Sequence, residues 1–167
     1  MKKIFSILTF SMIFLMACGP SKKDVLLVND QLVNKVGQSS NAEKHFFEAC
    51  RTYNPTKIQA ELKELTETCK RVKGEIEAIE VHKDIDKLKK SALELINFYV
   101  KTEPEYKEYA RLYSIQTEDF TAEDERLTKE VATKINDNIN AGFTSFQLTQ
   151  EEFANKYQYT LSKSSYK

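Results

Sequence analysis

From Pro55 to Glu80 the apolar and soft positions fall at Ile58, Leu62, Leu65, Cys69, Val72, Ile76 and Ile79. The steps alternate four and three, a heptad seam that predicts one long amphipathic helix. Asn54-Pro55 supplies its start, with Asn as N-cap and Pro at the first helical position. A second seam runs Leu88, Ala92, Leu95, Tyr99, Thr102, Tyr106, Tyr109 and Tyr113. Pro104 interrupts its hydrogen-bond ladder, but the phase continues across it, so the expectation is one kinked helix. A third opens at Thr121-Ala122-Glu123-Asp124, a capping-box start with Asp where Glu or Gln is usual. It carries Leu127, Val131, Ile135, Ile139, Phe143, Phe146, Phe153 and Tyr157. The segment from Val25 through Leu32, Val36, Ser39, Phe46 and Cys50 is the least regular. Gly37 and Ser39-Ser40-Asn41 lower helix propensity there and leave room for a bend.

The links at Tyr53-Asn54, His82-Lys83 and Gln116 to Thr121 are short, which forces neighbouring helices to run antiparallel. The expected fold is therefore all-α, an antiparallel up-down-up-down four-helix bundle with helices of ~40–55 Å. Folding the seams about these turns sets Leu62 against Phe46, Cys69 against Ser39, Phe146 against Ala92 and Phe143 against Leu95. Large residues repeatedly oppose small ones, as interdigitated layers require.

The first twenty residues bear on the compartment. Lys2 and Lys3 precede an apolar run, Ile4 to Met16, which is too short as a helix (about 20 Å) to cross a ~30 Å hydrocarbon core. A basic start, a short apolar run and a small residue before a cut site read as a secretory signal. The site, Leu15-Met16-Ala17-Cys18, resembles the lipobox of bacterial lipoproteins, with Met at a position where Ala, Ser or Val is more usual. That resemblance implies cleavage before Cys18, a thioether-linked diacylglycerol on its thiol and a further acyl chain on its amine, a set that anchors firmly where one chain would not. The expected division is 1–17 as signal peptide, 18–21 as lipidated tether, 22–160 as bundle and 161–167 as a flexible tail. A plain signal peptide with an incidental Cys, or an uncleaved anchor, is the alternative.

Composition narrows the function further. The 167 residues carry 25 basic and 25 acidic side chains, with 4 Gly and 3 Pro. So few turn residues argue against a β-sandwich or barrel, and the neutral balance removes the electrostatic case for nucleic-acid binding. No nucleotide, hydrolase or zinc-protease motif occurs, and His45 and His82 have no His at helical spacing, so no cofactor, metal or catalytic residue is expected.

Geometry singles out two ends. If Cys18 lies at the bilayer, the first and third turns are distal, and folding about His82 sets Tyr109 level with Pro55. The last hairpin should then overhang the first by about two turns. Tyr109, Tyr113, Ile115, Phe120 and Leu127 fall there, beside Glu118, Asp119, Glu123, Asp124 and Glu125. Tyr109, Tyr113 and Phe120 are the candidate partner-binding residues, for an envelope or extracellular protein. The same positions also fit a hairpin closed on itself. The near end collects Lys22, Lys23, Lys83, Lys87, Lys156, Lys163 and Lys167 with Tyr157, Tyr159 and Tyr166, a composition suited to headgroups or to a solvated terminus. A rival reading is a small-ligand cavity between helices near Ser39, Ser40 and Gly142. Asn138, interrupting the last stripe, is expected to find a polar partner and set register.

Several stretches carry a wider resemblance. They are Val28-Asn29-Asp30-Gln31-Leu32-Val33, Ala92-Leu93-Glu94-Leu95-Ile96-Asn97-Phe98-Tyr99, Glu105-Tyr106-Lys107-Glu108-Tyr109, Phe146, and Glu152-Phe153-Ala154-Asn155-Lys156-Tyr157. In order and spacing the chain resembles a family of small helical surface lipoproteins from Bacteroidetes and leptospires that has no known biochemical activity. The resemblance implies an outer-membrane or surface lipoprotein, and it transfers no catalytic residue.

Overall fold

The computed structural model describes residues 19–161. It is all-α, and its described residues form α1 (Lys22–Cys50), α2 (Pro55–Glu77), α3 (Asp86–Lys101), α4 (Glu103–Tyr113) and α5 (Ala122–Tyr157). The signal segment and Cys18 lie outside the described residues, as does nearly all of the expected tail.

The expected helix starts are realised. Asn54 accepts from Lys57 N–H at 3.1 Å, with Pro55 beginning α2. Thr121 and Asp124 cap α5 reciprocally, and Ser21 and Asp24 do the same for α1. The end of α2 is closed from outside: Lys89 Nζ, on α3, donates to the carbonyls of Glu77 and Ile79.

Two expectations about single helices change. The Gly37 to Asn41 stretch does not interrupt the helix, and α1 runs unbroken for 29 residues. Val36, Ser39, Ala42 and Phe46 are all buried along it, so tertiary packing overrides weak propensity. The Pro104 helix is two elements. Thr102 closes α3 through its N–H to Phe98 O and opens α4 by accepting from Tyr106 N–H. The wholly buried Thr102 hydroxyl accepts from Asn138 Nδ2 at 3.3 Å, so Asn138 has its expected partner, at the break itself.

Polar bridges fix how the helices run. Lys35 to Glu75 and Gln38 to Arg71 set α1 antiparallel to α2. Lys87 to Glu152 and Ser145 to Glu94 do so for α3 and α5. Asn29 and Gln150, both buried, join α1 to α5 at 2.8 Å. The seams pack as layers between these bridges. Ser39 lies beside Cys69, as the folded register anticipates. Gly142 is pressed onto α3, where a Cβ would come within 2.8 Å of Leu95 Cδ1 and 2.9 Å of Phe98 Cδ2. Glycine is the residue that permits this approach.

Candidate functional site

On α1, Glu43, Phe46, Phe47 and Cys50 share one face by helical spacing. Tyr99, Tyr106, Tyr109 and Tyr113 line the facing side of α3 and α4. Their rings form a column. Phe46 meets Tyr106 edge-on at 5.6 Å, and Phe47 meets Tyr109 edge-on at 5.4 Å. Tyr109 lies over Tyr113 at 4.6 Å, with their hydroxyls hydrogen-bonded at 3.1 Å. Tyr113 then stacks on Tyr53, 5.6 Å away and 27° from parallel. The column starts in the core and ends in solvent, with Tyr53 68% exposed. Tyr53 holds a left-handed backbone, φ 52°, at the α1–α2 turn. Tyrosine adopts that region at a cost of roughly 1–2 kcal/mol, so the turn keeps an exposed ring where glycine would be cheaper.

The core end of the column is a half-buried carboxylate. Glu43 accepts from the hydroxyls of Tyr106 and, at 3.2 Å, Tyr99. Burial raises its pKa above the ordinary glutamate range, outweighing those two bonds. Burial, and then the facing Glu43 charge, push both tyrosines well above their usual values. The Ser39 hydroxyl, fully buried beside the Cys69 thiol, has no partner at hydrogen-bond geometry among the described residues. Beside Cys69, Tyr99 and Tyr106 lies a space of about 10 Å³, the size of a single water rather than a ligand. A larger hollow, about 300 Å³, is an open depression on one face of α3 between Lys90 and Lys101. Around the rival ligand position, Cys69 flanks Ser39, while Leu95 and Phe98 press on Gly142.

Of the candidate partner-binding residues, Tyr109 and Tyr113 are brought together and half-buried. Phe120, 40% exposed, sits in the loop between α4 and α5, without a ring contact to the stack among the described residues. The expected two-turn overhang is corrected. Tyr109 packs at the level of Phe47, and it is Tyr113 that meets the first turn at Tyr53, so only the loop Ser114 to Thr121 rises beyond it. The helix-breaking stretch from Ala78 to Ile85 displaces α3 relative to a fold about His82 alone.

Acidic residues at this end are partly engaged. Asp124 caps α5, Glu123 pairs with Arg126, and Glu125 pairs with Lys129. Glu118 and Asp119 form no ion pair among the described residues, where no group of three His, Cys, Asp or Glu is placed to hold a metal ion. Nor is any described helix long and apolar enough to cross a membrane.

Sequence reasoning missed Glu43 and Tyr53. Glu43 had a signal: the first seam steps from Ser39 to Phe46, and a four-three pattern demands a residue at 43. Tyr53 had none beyond its place in a turn.

The chain matches no protein-family model, and neither the curated proteins nor the solved structures give a match.

Proposed function

We propose that this is a lipid-anchored, extracytoplasmic helical-bundle protein, held by acylated Cys18 at a bacterial envelope, most simply the outer membrane, and serving as a binding or structural module. Its helices form an up-down-up-down bundle of four arms, α3 and α4 together making one bent arm. The short connections and the antiparallel bridges support that arrangement. The observation that carries the binding role is the exposed Tyr53 ring stacked on half-buried Tyr113, at the end of α1 opposite to Gly19. An aromatic patch held rigid by its own column gives a partner contact area at little entropic cost. The resemblance to helical surface lipoproteins agrees with this reading and adds no activity to it.

Two measurements test it. Cys18→Ala should abolish fatty-acid labelling and release or misroute the protein; full membrane retention with an intact N-terminus would sink the anchor. A photo-crosslinking residue at Tyr53 should capture a defined envelope or extracellular protein on intact cells. The same residue at Glu64, on the outer face of α2, should not. Equal yields at both positions would sink the binding role.

A further inference from the structure

Gly19, Pro20 and Ser21 are all that separates Cys18 from α1, and they are tied down. Ser21 caps the helix in a reciprocal pair with Asp24. A Cβ on Gly19 would sit 3.4 Å from Asp84 Oδ2, so the entering chain rests on the α2–α3 connection. Lys22 Nζ donates to the Gln158 carbonyl at 2.6 Å and brings the end of α5 to the same place. Three extended residues reach only about 10 Å. Whatever holds Cys18 therefore holds the start of α1 within that distance, with the α2–α3 connection and the end of α5 beside it.

The charges at this end are unevenly spent. Asp24 is used in the cap, Asp84 faces His82 at 3.6 Å, and Glu152 takes Lys87. Glu80 is exposed and forms no ion pair among the described residues, nor do Lys23 and Lys83. Lys156 lies over the half-buried Tyr157 ring at 5.1 Å, an amphipathic pair of the kind found at headgroup depth. Asp24, Asp84 and Glu152, though exposed, are thus engaged by partners within the fold, whereas Lys23 and Lys83 are exposed and keep their charge unpaired among the described residues.

We infer that this end of the bundle is a membrane-contact surface on which Lys23, Lys83 and Lys156 face anionic lipid headgroups, so that the bundle stands upright on the bilayer. The inference rests on the anchoring of Cys18 proposed above. Contact by three elements at one end of α1 sets that helix along the bilayer normal. Its 29 residues then carry the Tyr53 end about 43 Å from the headgroups.

The test uses the full-length acylated chain in vesicles of phosphatidylcholine, with or without phosphatidylglycerol, containing a nickel-chelating lipid. Spin labels are attached at Glu80→Cys and, separately, Thr117→Cys, with circular dichroism confirming the fold. Strong nickel relaxation at position 80 and none at 117 is expected. A Gly/Ser spacer inserted between Gly19 and Pro20 frees the bundle to lift. Its contact at position 80 should then depend on phosphatidylglycerol and fall about fivefold for each of Lys23→Gln and Lys83→Gln. Equal relaxation at 80 and 117 in vesicles that carry the protein overturns upright contact. Indifference of the spacer variant to lipid charge overturns the lysine surface. Failure of the protein to float with the vesicles overturns the anchor, and this inference with it.

Discussion

The Tyr106 hydroxyl on α4 donates to the Glu43 carboxylate on α1, and no cation pairs with that carboxylate among the described residues. Neutral donors stabilise the charged form less than a lysine or arginine would, so burial prevails and Glu43 keeps its proton to a higher pH than usual. The group thus links a buried hydrogen-bond cluster to pH.

Between the ordinary glutamate value of 4.5 and the raised folded value, the folded chain holds a proton that the unfolded chain has released. The stability tied to this group is complete below 4.5 and is lost as pH rises through the folded value. Glu43→Gln is neutral throughout and escapes that loss. In urea melts from about pH 4 to 8, the variant should gain on wild type as pH rises, then level off above the folded value. A pH-independent difference between the two would show that Glu43 titrates normally.

Glycines should separate by what surrounds them. At Gly142 a Cβ would meet Leu95 Cα at 3.1 Å as well as the two closer side-chain atoms, so backbone must move. Gly142→Ala should lower stability by about 1–2 kcal/mol, overpacking exceeding the helix-propensity gain. Gly74 has nothing within 4 Å, and Gly74→Ala should add about 0.4–1 kcal/mol. Each kcal/mol corresponds to about 2–4 °C in melting temperature for a domain of this size. Stabilisation by Gly142→Ala would mean that α3 and α5 can separate freely.

The difference between these glycines also shows what the chain's pattern can convey. Ile58 to Ile76 read as a seam because every position is apolar or soft, and all six are buried. Asn54 and Thr121 read as caps because capping chemistry is local. Glu43 did not, because a charged residue in a seam slot looks like solvent-facing chain until Tyr99 and Tyr106 arrive from 56 and 63 positions away. The height of Tyr109 depended on the α2–α3 connection, whose non-helical length carries no periodic signal. Small errors in such a link displace every later residue by a turn.

At the distal end, Phe120→Ala should leave stability within about 0.5 kcal/mol, since its ring is exposed and unstacked. Tyr113→Ala removes stacking on both Tyr53 and Tyr109 and should cost about 1–2 kcal/mol. Both substitutions should weaken crosslinking from position 53 while helicity is nearly unchanged. Loss of stability with full retention of capture would identify these rings as core alone.

The two described cysteines provide the last test. Cys50 and Cys69 are free and buried, although on the proposed export route an even pair would ordinarily join. Register keeps them apart. Cys69 lies beside Ser39, and Ser39 is eleven positions from Cys50 on an unbroken α1. That is about 16 Å along the helix, against the ~4.4–6.8 Å between Cα atoms that a disulfide needs. Burial also pushes both thiols up to about 12. At pH 8 only about one in ten thousand is then thiolate, the form that attacks. Peptide mapping of non-reduced protein should recover the two unlinked, and mild reductant should leave the melting temperature unchanged. A thiol reagent should react no faster than the chain opens. Recovery of a linked Cys50–Cys69 peptide would require α1 to break between Ser39 and Cys50. Rapid labelling of the folded protein would show instead that the seam admits solvent at these positions.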